Sequence, residues 1–250
     1  MLRCECEEDT AEIFKITELR SLYIDGMRVL AALVASMVLS AVANAQTTVS
    51  FPTRDGGVVF ADVYGTGERA VVLAHGGRFN KESWAKQAPV LVRAGFEVMA
   101  IDFRGRGKSH GPGGMEASDE QLEMDVMAAV RYLHGHGAKS VSIVGGSMGG
   151  GAAGDASIVS RPGEIDRLVM LGAAPNLPAD KLKSPALFIV ARNDTSGDGP
   201  RLPGIKAQFA KAPQPKKLVV LEGSAHAQYL FDTDQGERVM EEILRWLKAK

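Results

Sequence analysis

A serine between glycines is the part of this sequence with the clearest chemical potential. Residues 145–149 read Gly-Gly-Ser-Met-Gly, a G-x-S-x-G pattern that follows an apolar run of strand character. Such a pattern predicts a sharp turn between a strand and a helix, where glycines allow the two elements to approach closely. We therefore expect Ser147 to project its hydroxyl into open space, with the backbone N–H of Met148 facing the same space at the start of a helix.

A serine hydroxyl is a poor nucleophile at neutral pH, and it needs a base that a third group orients. Asp194 and His226 fit these two roles, because each follows a short apolar run that is predicted to be a strand. In an open parallel sheet, the carboxyl ends of the strands meet at one edge, where functional residues collect. The chain order Ser147, Asp194, His226 therefore predicts a catalytic triad, with Asp198 as the alternative acid.

Strands and helices alternate along the part of the chain that must position these residues. Two β-rich runs flank Arg54-Asp55-Gly56-Gly57, and an Asp-Gly turn between such runs predicts an antiparallel hairpin. The predicted strands are Thr47–Phe51, Val58–Tyr64, Ala70–Ala74, Phe96–Asp102, the run that begins at Ser140, Leu168–Leu171, Ala186–Val190 and Lys217–Leu221. Besides the helix after Ser147, the predicted helices are Lys81–Ala94, Asp119–His134, Ile205–Lys211 and Gly236–Lys250.

This alternation predicts the α/β class, with a mostly parallel, twisted sheet of about eight strands that is covered by helices on both faces. The segment from Leu171 to Ser184 is too short for an inserted domain, so we expect no cap domain. Residues 46–250 are therefore predicted to form one α/β domain.

Residues 27–45 have the three parts of a secretory signal peptide. Met27-Arg28 is a short basic start, an apolar run follows, and Ala43-Asn44-Ala45 is an A-x-A cleavage site. We predict cleavage after Ala45 and export of the mature domain to the periplasm or the medium, without stable membrane insertion. An uncleaved anchor is the alternative, although the apolar run is shorter than the roughly 20 residues that span a membrane.

Residues 1–26 are unusual in front of a signal peptide, because they are acidic where the start of a signal peptide is basic. We interpret them as a non-native extension, with translation beginning at Met27, or as a genuine short segment that is disordered or weakly helical. Cys4 and Cys6 both lie upstream of the predicted cleavage, so the mature domain has no cysteine.

The overall charge and the remaining motifs exclude several function classes. A formal charge of −1 without a long basic run argues against a nucleic-acid partner. Gly107-Lys108-Ser109 resembles the end of a phosphate-binding loop, but that motif requires glycine where Asp102 stands. His134 and His136 lie at a predicted helix end, where capping is expected rather than metal binding. The sequence therefore predicts no metal site and no cofactor.

Together, these motifs resemble those of the α/β-hydrolase fold family. Besides the three predicted triad residues, the resemblance rests on His75-Gly76-Gly77 after the third strand and on residues 102–107, Asp-Phe-Arg-Gly-Arg-Gly, after the fourth. It covers roughly residues 48–250. The resemblance implies that Ser147 is the nucleophile, that His226 acts first as base and then as acid, and that Asp194 holds the imidazole.

The resemblance also implies an oxyanion hole and a substrate pocket. The hole would use the N–H of Met148 and one N–H from the loop after His75. Gly77 is the first candidate for the second N–H, and Arg78 is the alternative because the third glycine of the H-G-G-G form is absent. Phe79 and Tyr229, together with Met148, are candidate pocket walls by position, whereas His75 is expected to brace its loop.

Among members of this family, the chain resembles compact, lidless esterases and dienelactone-hydrolase-like proteins, although serine replaces the cysteine of true dienelactone hydrolases. The resemblance implies hydrolysis of small carboxylic esters through an acyl-enzyme intermediate. A thioesterase, an amidase or peptidase, and an acyl transferase are alternatives on the same triad, because the fold does not fix the substrate. A non-catalytic binding protein of this fold is a further alternative. The sequence predicts neither the natural substrate nor the oligomeric state.

Overall fold

A computed structural model of the chain describes Met27, residues 46–114 and residues 121–249. The chain divides into two compact units, residues 1–44 and 45–250, and the architecture below is that of the second unit. The interpretations of residues 1–26 and 28–45 lie outside the described residues, so they stay predictions. Among the described helices, none has the length and apolar character needed to cross a membrane.

One large sheet forms the centre of this unit. Its strands are β1 (Gln46–Pro52), β2 (Val58–Tyr64), β3 (Arg69–Ala74), β4 (Glu97–Ile101), β5 (Ser140–Gly146), β6 (Leu168–Leu171), β7 (Ala186–Ala191) and β10 (Lys216–Leu221); two short strands, β8 (Thr195–Ser196) and β9 (Gly199–Pro200), form a separate hairpin. The eight strands of the large sheet lie in the order β1-β2-β4-β3-β5-β6-β7-β10. Strand β2 pairs antiparallel with β1 and β4, and every other pair is parallel. The predicted hairpin and the mostly parallel, eight-stranded sheet are therefore confirmed.

Helices cover both faces of the sheet. They are α1 (Ala88–Arg93), α2 (Leu122–Gly135), α3 (Met148–Val159), α4 (Arg201–Lys211) and α5 (Gly236–Lys248). Alternate residues of a strand point to opposite faces, so Val72 packs into the core that contains α2, α3 and α4, whereas Val71 packs into the core that contains α1 and α5. Both faces of the central strands are thus buried, which explains their continuous apolar sequences.

The predicted helix Lys81–Ala94 is wrong as a single element. The structure has a 3-10 turn at Lys81–Trp84, and α1 begins only at Ala88 with Pro89 in its first turn. Proline has no backbone N–H to donate and clashes with the carbonyl four residues earlier, so a continuous helix cannot pass through this position. The predicted end of the helix at Gly95 is confirmed, because Gly95 has the left-handed φ of +92° that follows many helices.

Two further boundaries concern the surroundings of the site. Helix α2 is described from Leu122, and the predicted start at Asp119 lies outside the described residues. Between β6 and β7, the described chain holds only loops and a 3-10 turn at Ala179–Lys181. No domain is inserted in this connection, as predicted.

Candidate active site

Ser147 occupies a sharp turn between β5 and α3. Its φ of 51° and ψ of −117° lie outside the regions that non-glycine residues normally adopt, so the surrounding packing must hold this conformation. The neighbouring glycines provide the space, because a Cβ on Gly145 would collide with the backbone of Gly149, and a Cβ on Gly149 would collide with that of Ala74. The G-x-S-x-G turn therefore has the conformation that its sequence predicts.

The structure brings Ser147, His226 and Asp194 together, although they are far apart in the sequence. The Nε2 atom of His226 lies 2.7 Å from Ser147 Oγ, and its Nδ1 atom lies 2.8 Å from Asp194 Oδ2. Asp194 is fully buried, whereas the His226 side chain is 28% exposed. The alternative acid, Asp198, is exposed in the turn between β8 and β9, so Asp194 is the carboxylate that contacts His226.

A glycine beneath the histidine lets the His226–Asp194 pair form. Gly172 follows β6 with a φ of +60°, and a Cβ at this position would lie 2.9 Å from His226 Nδ1 and 3.0 Å from Asp194 Oδ2. Any side chain would therefore displace the pair. Sequence analysis missed this residue, although a glycine directly after a predicted strand was a signal for a close backbone approach.

The loop after β3 lies beside the start of α3, where an oxyanion hole was expected. A Cβ on Gly77 would lie 3.6 Å from Met148 Sδ, so this loop and the residue after the serine are neighbours. Among the described residues, the backbone N–H groups of Gly77 and Arg78 have no hydrogen-bond partner. Both remain available as the second donor beside Met148, and the choice between them stays open.

Gln228 fixes this loop relative to the segment that carries His226. The backbone N–H of Gly76 donates to Gln228 Oε1 at 2.8 Å, and Gln228 Nε2 donates to Ser83 Oγ at 2.7 Å. One nearly buried side chain thus connects the loop after β3 with the loop after β10. Sequence analysis missed Gln228, because nothing in a local pattern marks a contact between residues 152 positions apart.

His75 braces its loop, as predicted. Its Nε2 accepts a hydrogen bond from the Phe103 N–H at 3.2 Å, and its Nδ1 lies 2.8 Å from the Gly76 carbonyl oxygen. The neutral ring with a proton on Nδ1 satisfies both contacts. Burial lowers the pKa of His75 to about 4, since the charged form would lose its hydration. This histidine therefore stays neutral at physiological pH.

Residues 102–107 contribute a structural ion-pair cluster. The buried Arg104 guanidinium donates to Asp125 on α2 at 2.7 Å and to Asp55 in the β1–β2 turn at 2.7 Å. Arg106 reaches the carbonyl oxygen of Gly77 at 3.2 Å. These contacts join the loop after β4 to the first hairpin, to α2 and to the loop after β3, which helps to hold the latter beside Ser147.

A cleft of about 720 Å³ opens beside Ser147. Its walls come from the start of α2, α3, the loop after β6 and α4, and they mix apolar side chains such as Met148 and Ile205 with polar ones such as Asn176 and Arg201. Sequence analysis identified Met148 among these walls and missed the α4 side. It predicted a helix in this region but had no signal for the direction in which that helix would face.

The two other predicted pocket residues lie elsewhere. The rings of Phe79 and Tyr229 contact each other with their centroids 5.1 Å apart, and Tyr229 is 48% exposed. Neither side chain lines the cleft beside Ser147. The cleft therefore does not support the predicted role of Phe79 and Tyr229 in substrate binding, which stays a prediction.

The two histidines near the end of α2 contact backbone carbonyl groups. His134 Nδ1 lies 2.9 Å from the Ala138 oxygen, and His136 Nδ1 lies 2.8 Å from the Tyr132 oxygen. These contacts are those expected of helix-end capping. Within residues 46–114 and 121–249, no three His, Cys, Asp or Glu side chains are grouped as metal ligands would be.

Comparison of the chain with known proteins identifies its family and its fold. A sequence model described as alpha/beta hydrolase fold matches residues 69–233. A non-heme haloperoxidase of Rhodococcus erythropolis is 33% identical over 133 residues, which are 52% of this chain and 46% of that protein. The alignment thus spans less than half the length of this curated relative.

Solved structures show the same fold. An esterase from Exiguobacterium antarcticum superposes with a TM-score of 0.67 at 16% identity, over 81% of this chain and 100% of that one. A dienelactone hydrolase from Anabaena variabilis superposes with a TM-score of 0.64 at 21% identity, over 81% and 96% of the two chains. The family model covers residues 69–233, which are most of the chain, so this protein belongs to the α/β-hydrolase fold family.

Proposed function

We propose that this protein is a serine hydrolase that cleaves carboxylic esters through an acyl-enzyme intermediate. The observation that carries the proposal is the hydrogen-bonded chain from Ser147 Oγ through the His226 ring to Asp194, with distances of 2.7 and 2.8 Å. Both distances are within the range in which a serine hydroxyl, a base and an orienting carboxylate act as one unit.

The geometry supports the following acylation step. Ser147 Oγ attacks the ester carbonyl carbon while its proton moves to His226 Nε2, and the buried Asp194 carboxylate stabilises the imidazolium that forms. The N–H of Met148 and one from Gly77 or Arg78 donate to the developing oxyanion. Each such donor contributes about 3 kcal/mol of transition-state stabilisation. The imidazolium then protonates the departing alkoxide, which leaves an acyl group on Ser147.

Deacylation reverses these roles with water as the nucleophile. His226 Nε2 takes a proton from water, and the resulting hydroxide adds to the acyl carbon in the same oxyanion site. Collapse of the tetrahedral intermediate returns the proton to Ser147 Oγ and releases the carboxylic acid. The cycle is complete with the side chains of the triad and the backbone donors, so the proposal requires no metal or cofactor.

The proposed substrate is a small-molecule ester. The names of two proteins that share the fold, an esterase and a dienelactone hydrolase, support ester chemistry. The cleft of about 720 Å³ beside Ser147 supports a small or flexible acyl group. A formal charge of −1 supports a small molecule rather than a nucleic acid as the partner.

Export is part of the same proposal. It rests on the basic start, the apolar run and the A-x-A site of residues 27–45. We expect the active protein to be recovered outside the cytoplasm, with Gln46 as its first residue. Sequencing of the N-terminus of the secreted protein checks this, and a cytoplasmic protein that begins at Met1 or Met27 contradicts it.

The experiment that tests the catalytic proposal is turnover of p-nitrophenyl esters of increasing acyl length by the parent protein, Ser147→Ala and Ser50→Ala. Ser50 is exposed on β1, so its substitution controls for the loss of a serine hydroxyl as such. We expect kcat to fall about 10⁶-fold in Ser147→Ala, because the triad acts as a unit, and to be unchanged in Ser50→Ala.

A fluorophosphonate probe separates the alternatives. Labelling of Ser147 without ester turnover would indicate a thioesterase, an amidase or peptidase, or an acyl transferase, since all of them use an activated serine. Equal turnover by the parent and Ser147→Ala, together with no labelling of the folded parent, would reject catalysis and leave a binding protein of this fold.

A further inference from the structure

The short hairpin after Asp194 brings a second charged residue to the triad. Thr195 pairs with Pro200 across β8 and β9, which reverses the chain direction within six residues. The backbone N–H of Arg201, the first residue of α4, then donates to the Asp194 carbonyl oxygen at 2.9 Å. Asp194 and Arg201 are therefore fixed as neighbours by their backbones.

Their side chains present complementary atoms to each other. Asp194 Oδ1 and Arg201 Nε are both buried, and neither has a hydrogen-bond partner among the described residues. The two atoms lie 3.6 Å apart. A buried polar atom without a partner is costly and rare in native proteins. A closer approach of a few tenths of an ångström would satisfy both atoms in one charge-assisted hydrogen bond.

The two oxygens of Asp194 thus face different groups. Oδ2 lies 2.8 Å from the Nδ1 atom of His226, and Oδ1 faces the guanidinium. A carboxylate that is held at one oxygen can rotate about its terminal bond, whereas one that is held at both keeps a single orientation. The group at Oδ1 therefore decides how firmly Oδ2 points at the histidine.

We propose that Arg201 is a positioning residue of the reaction, whose Nε–H donates to Asp194 Oδ1 in the working enzyme and keeps Oδ2 on His226. This inference rests on the proposed function, because it concerns the orientation of the base in the Ser147 triad. The proposal also assigns a role to the β8–β9 hairpin, because this hairpin reverses the chain and places Arg201 beside Asp194.

Arg201 has a competing role that the experiment must distinguish. Its side chain is 34% exposed and lines the cleft beside Ser147, so it could bind an anionic group of a substrate. A positioning residue alters kcat for every ester, whatever the charge of the acyl group. A substrate-binding arginine alters KM, and it does so only for esters that carry a carboxylate.

The test compares the parent protein with Arg201→Met, Arg201→Lys and the control Arg192→Met. Arg192 is an exposed arginine that pairs with Glu222 and lies two positions before Asp194. The substrates are p-nitrophenyl hexanoate and mono-p-nitrophenyl adipate, which match in length and differ by one carboxylate. The labelling rate of Ser147 by a neutral fluorophosphonate provides a second readout, because it depends on the same base.

We expect Arg201→Met to lower kcat about 10-fold for both esters, with KM within about twofold, and to lower the labelling rate in parallel. Arg201→Lys retains a cation that can approach Asp194, so we expect it to recover most of the loss. Arg192→Met should match the parent. Ser147-dependent turnover by the parent confirms the proposed function independently of these results.

Four outcomes would overturn the inference. Unchanged kcat and labelling in Arg201→Met would show that Asp194 needs no second anchor. A loss confined to KM for the adipate ester would assign Arg201 to substrate binding. An equal loss in Arg201→Lys and Arg201→Met, with thermal unfolding at a lower temperature in both, would reduce Arg201 to a structural residue. A parent without Ser147-dependent turnover would reject the proposed function, and the positioning role with it.

Discussion

His75 and His226 lie near the same edge of the sheet, each after a strand, yet their surroundings give them different chemistry. His75 is fully buried, and both of its ring nitrogens contact backbone groups. The His226 side chain is 28% exposed, and its ring nitrogens contact a hydroxyl and a carboxylate. Only the second arrangement places the ring between a hydroxyl and a hydrogen-bonded carboxylate, which is the arrangement that the proposed reaction requires.

The difference suggests different roles for the two histidines, because their ring nitrogens have different partners although both follow strands at the same edge of the sheet. The Phe103 N–H donates to His75 Nε2 and occupies the lone pair that a base would need. At His226, the corresponding nitrogen faces the Ser147 hydroxyl, and the opposite nitrogen faces the buried Asp194 carboxylate. The comparison predicts that one histidine serves stability and the other serves catalysis.

The largest expected effect separates these two roles directly. His226→Ala should lower kcat about 10⁶-fold, because removal of the base disables the triad, and it also leaves the buried Asp194 Oδ2 without its partner. His75→Ala should leave the Phe103 N–H without its partner and create a cavity, so it should lower the free energy of unfolding by about 2–4 kcal/mol.

Steady-state kinetics and urea unfolding of both variants provide the measurements. Rates for His75→Ala are taken where the protein is fully folded, so that unfolding does not mimic a catalytic loss. If His75→Ala is fully folded and yet reduces kcat as strongly as His226→Ala, the assignment of His75 to stability and of His226 to catalysis is wrong.

A smaller effect is expected at the glycine beneath His226. Gly172→Ala should lower kcat about 100-fold, because the new Cβ would lie 2.9 Å from His226 Nδ1 and displace the ring from Asp194. Gly163→Ala is the matched control. Gly163 also has a positive φ, of +79°, but a Cβ there would have no neighbour within 4 Å.

The two glycine variants separate the effect of the positive φ from the effect of the steric clash with His226. Both lose a residue that tolerates positive φ, which costs each variant about 1 kcal/mol of stability. Only Gly172→Ala adds a steric clash, so only this variant should lose activity and further stability. Equal kcat values in the two variants would mean that the His226 ring has room that the structure does not show.

The features that the sequence predicted are those with a local signal. The Asp-Gly turn predicted the first hairpin, continuous apolar runs predicted the buried strands, and the G-x-S-x-G pattern predicted the turn at Ser147. The proximity of Asp194 and His226 to Ser147 followed from one rule, since the carboxyl ends of parallel strands meet at one edge. Each of these predictions needs only a short pattern and a general property of parallel sheets.

The features that it missed depend on contacts between distant residues or on a local exception. Gln228 connects two loops through side-chain contacts that no periodicity encodes. The approach of Arg201 to Asp194 requires the hairpin of β8 and β9, whose strands have only two residues each. The apolar residues of 81–94 have helical spacing, which predicts one continuous helix. Pro89 is the local exception that prevents it, because a proline is tolerated only in the first turn of a helix.

The smallest expected effect is the pH dependence that His75 gives to stability. In the unfolded chain His75 has an ordinary pKa near 6.5, and in the folded protein burial lowers this pKa to about 4. Between these values the unfolded chain binds a proton that the folded protein does not, so acid favours unfolding. Lowering the pH from 7 to 5 should therefore remove about 2 kcal/mol of stability through this residue.

Other groups also titrate in this range, so His75→Gln is the necessary reference, because glutamine carries no ionisable proton. The free energy of unfolding is measured in urea at pH 7 and pH 5 for both proteins. The parent should lose about 2 kcal/mol more than the variant, with most of the difference appearing below pH 6.5. Parallel losses in the two proteins would mean that the folded His75 accepts a proton as readily as the unfolded one. In that case its contacts with Gly76 and Phe103 would not distinguish it from His226 in the way that the comparison requires.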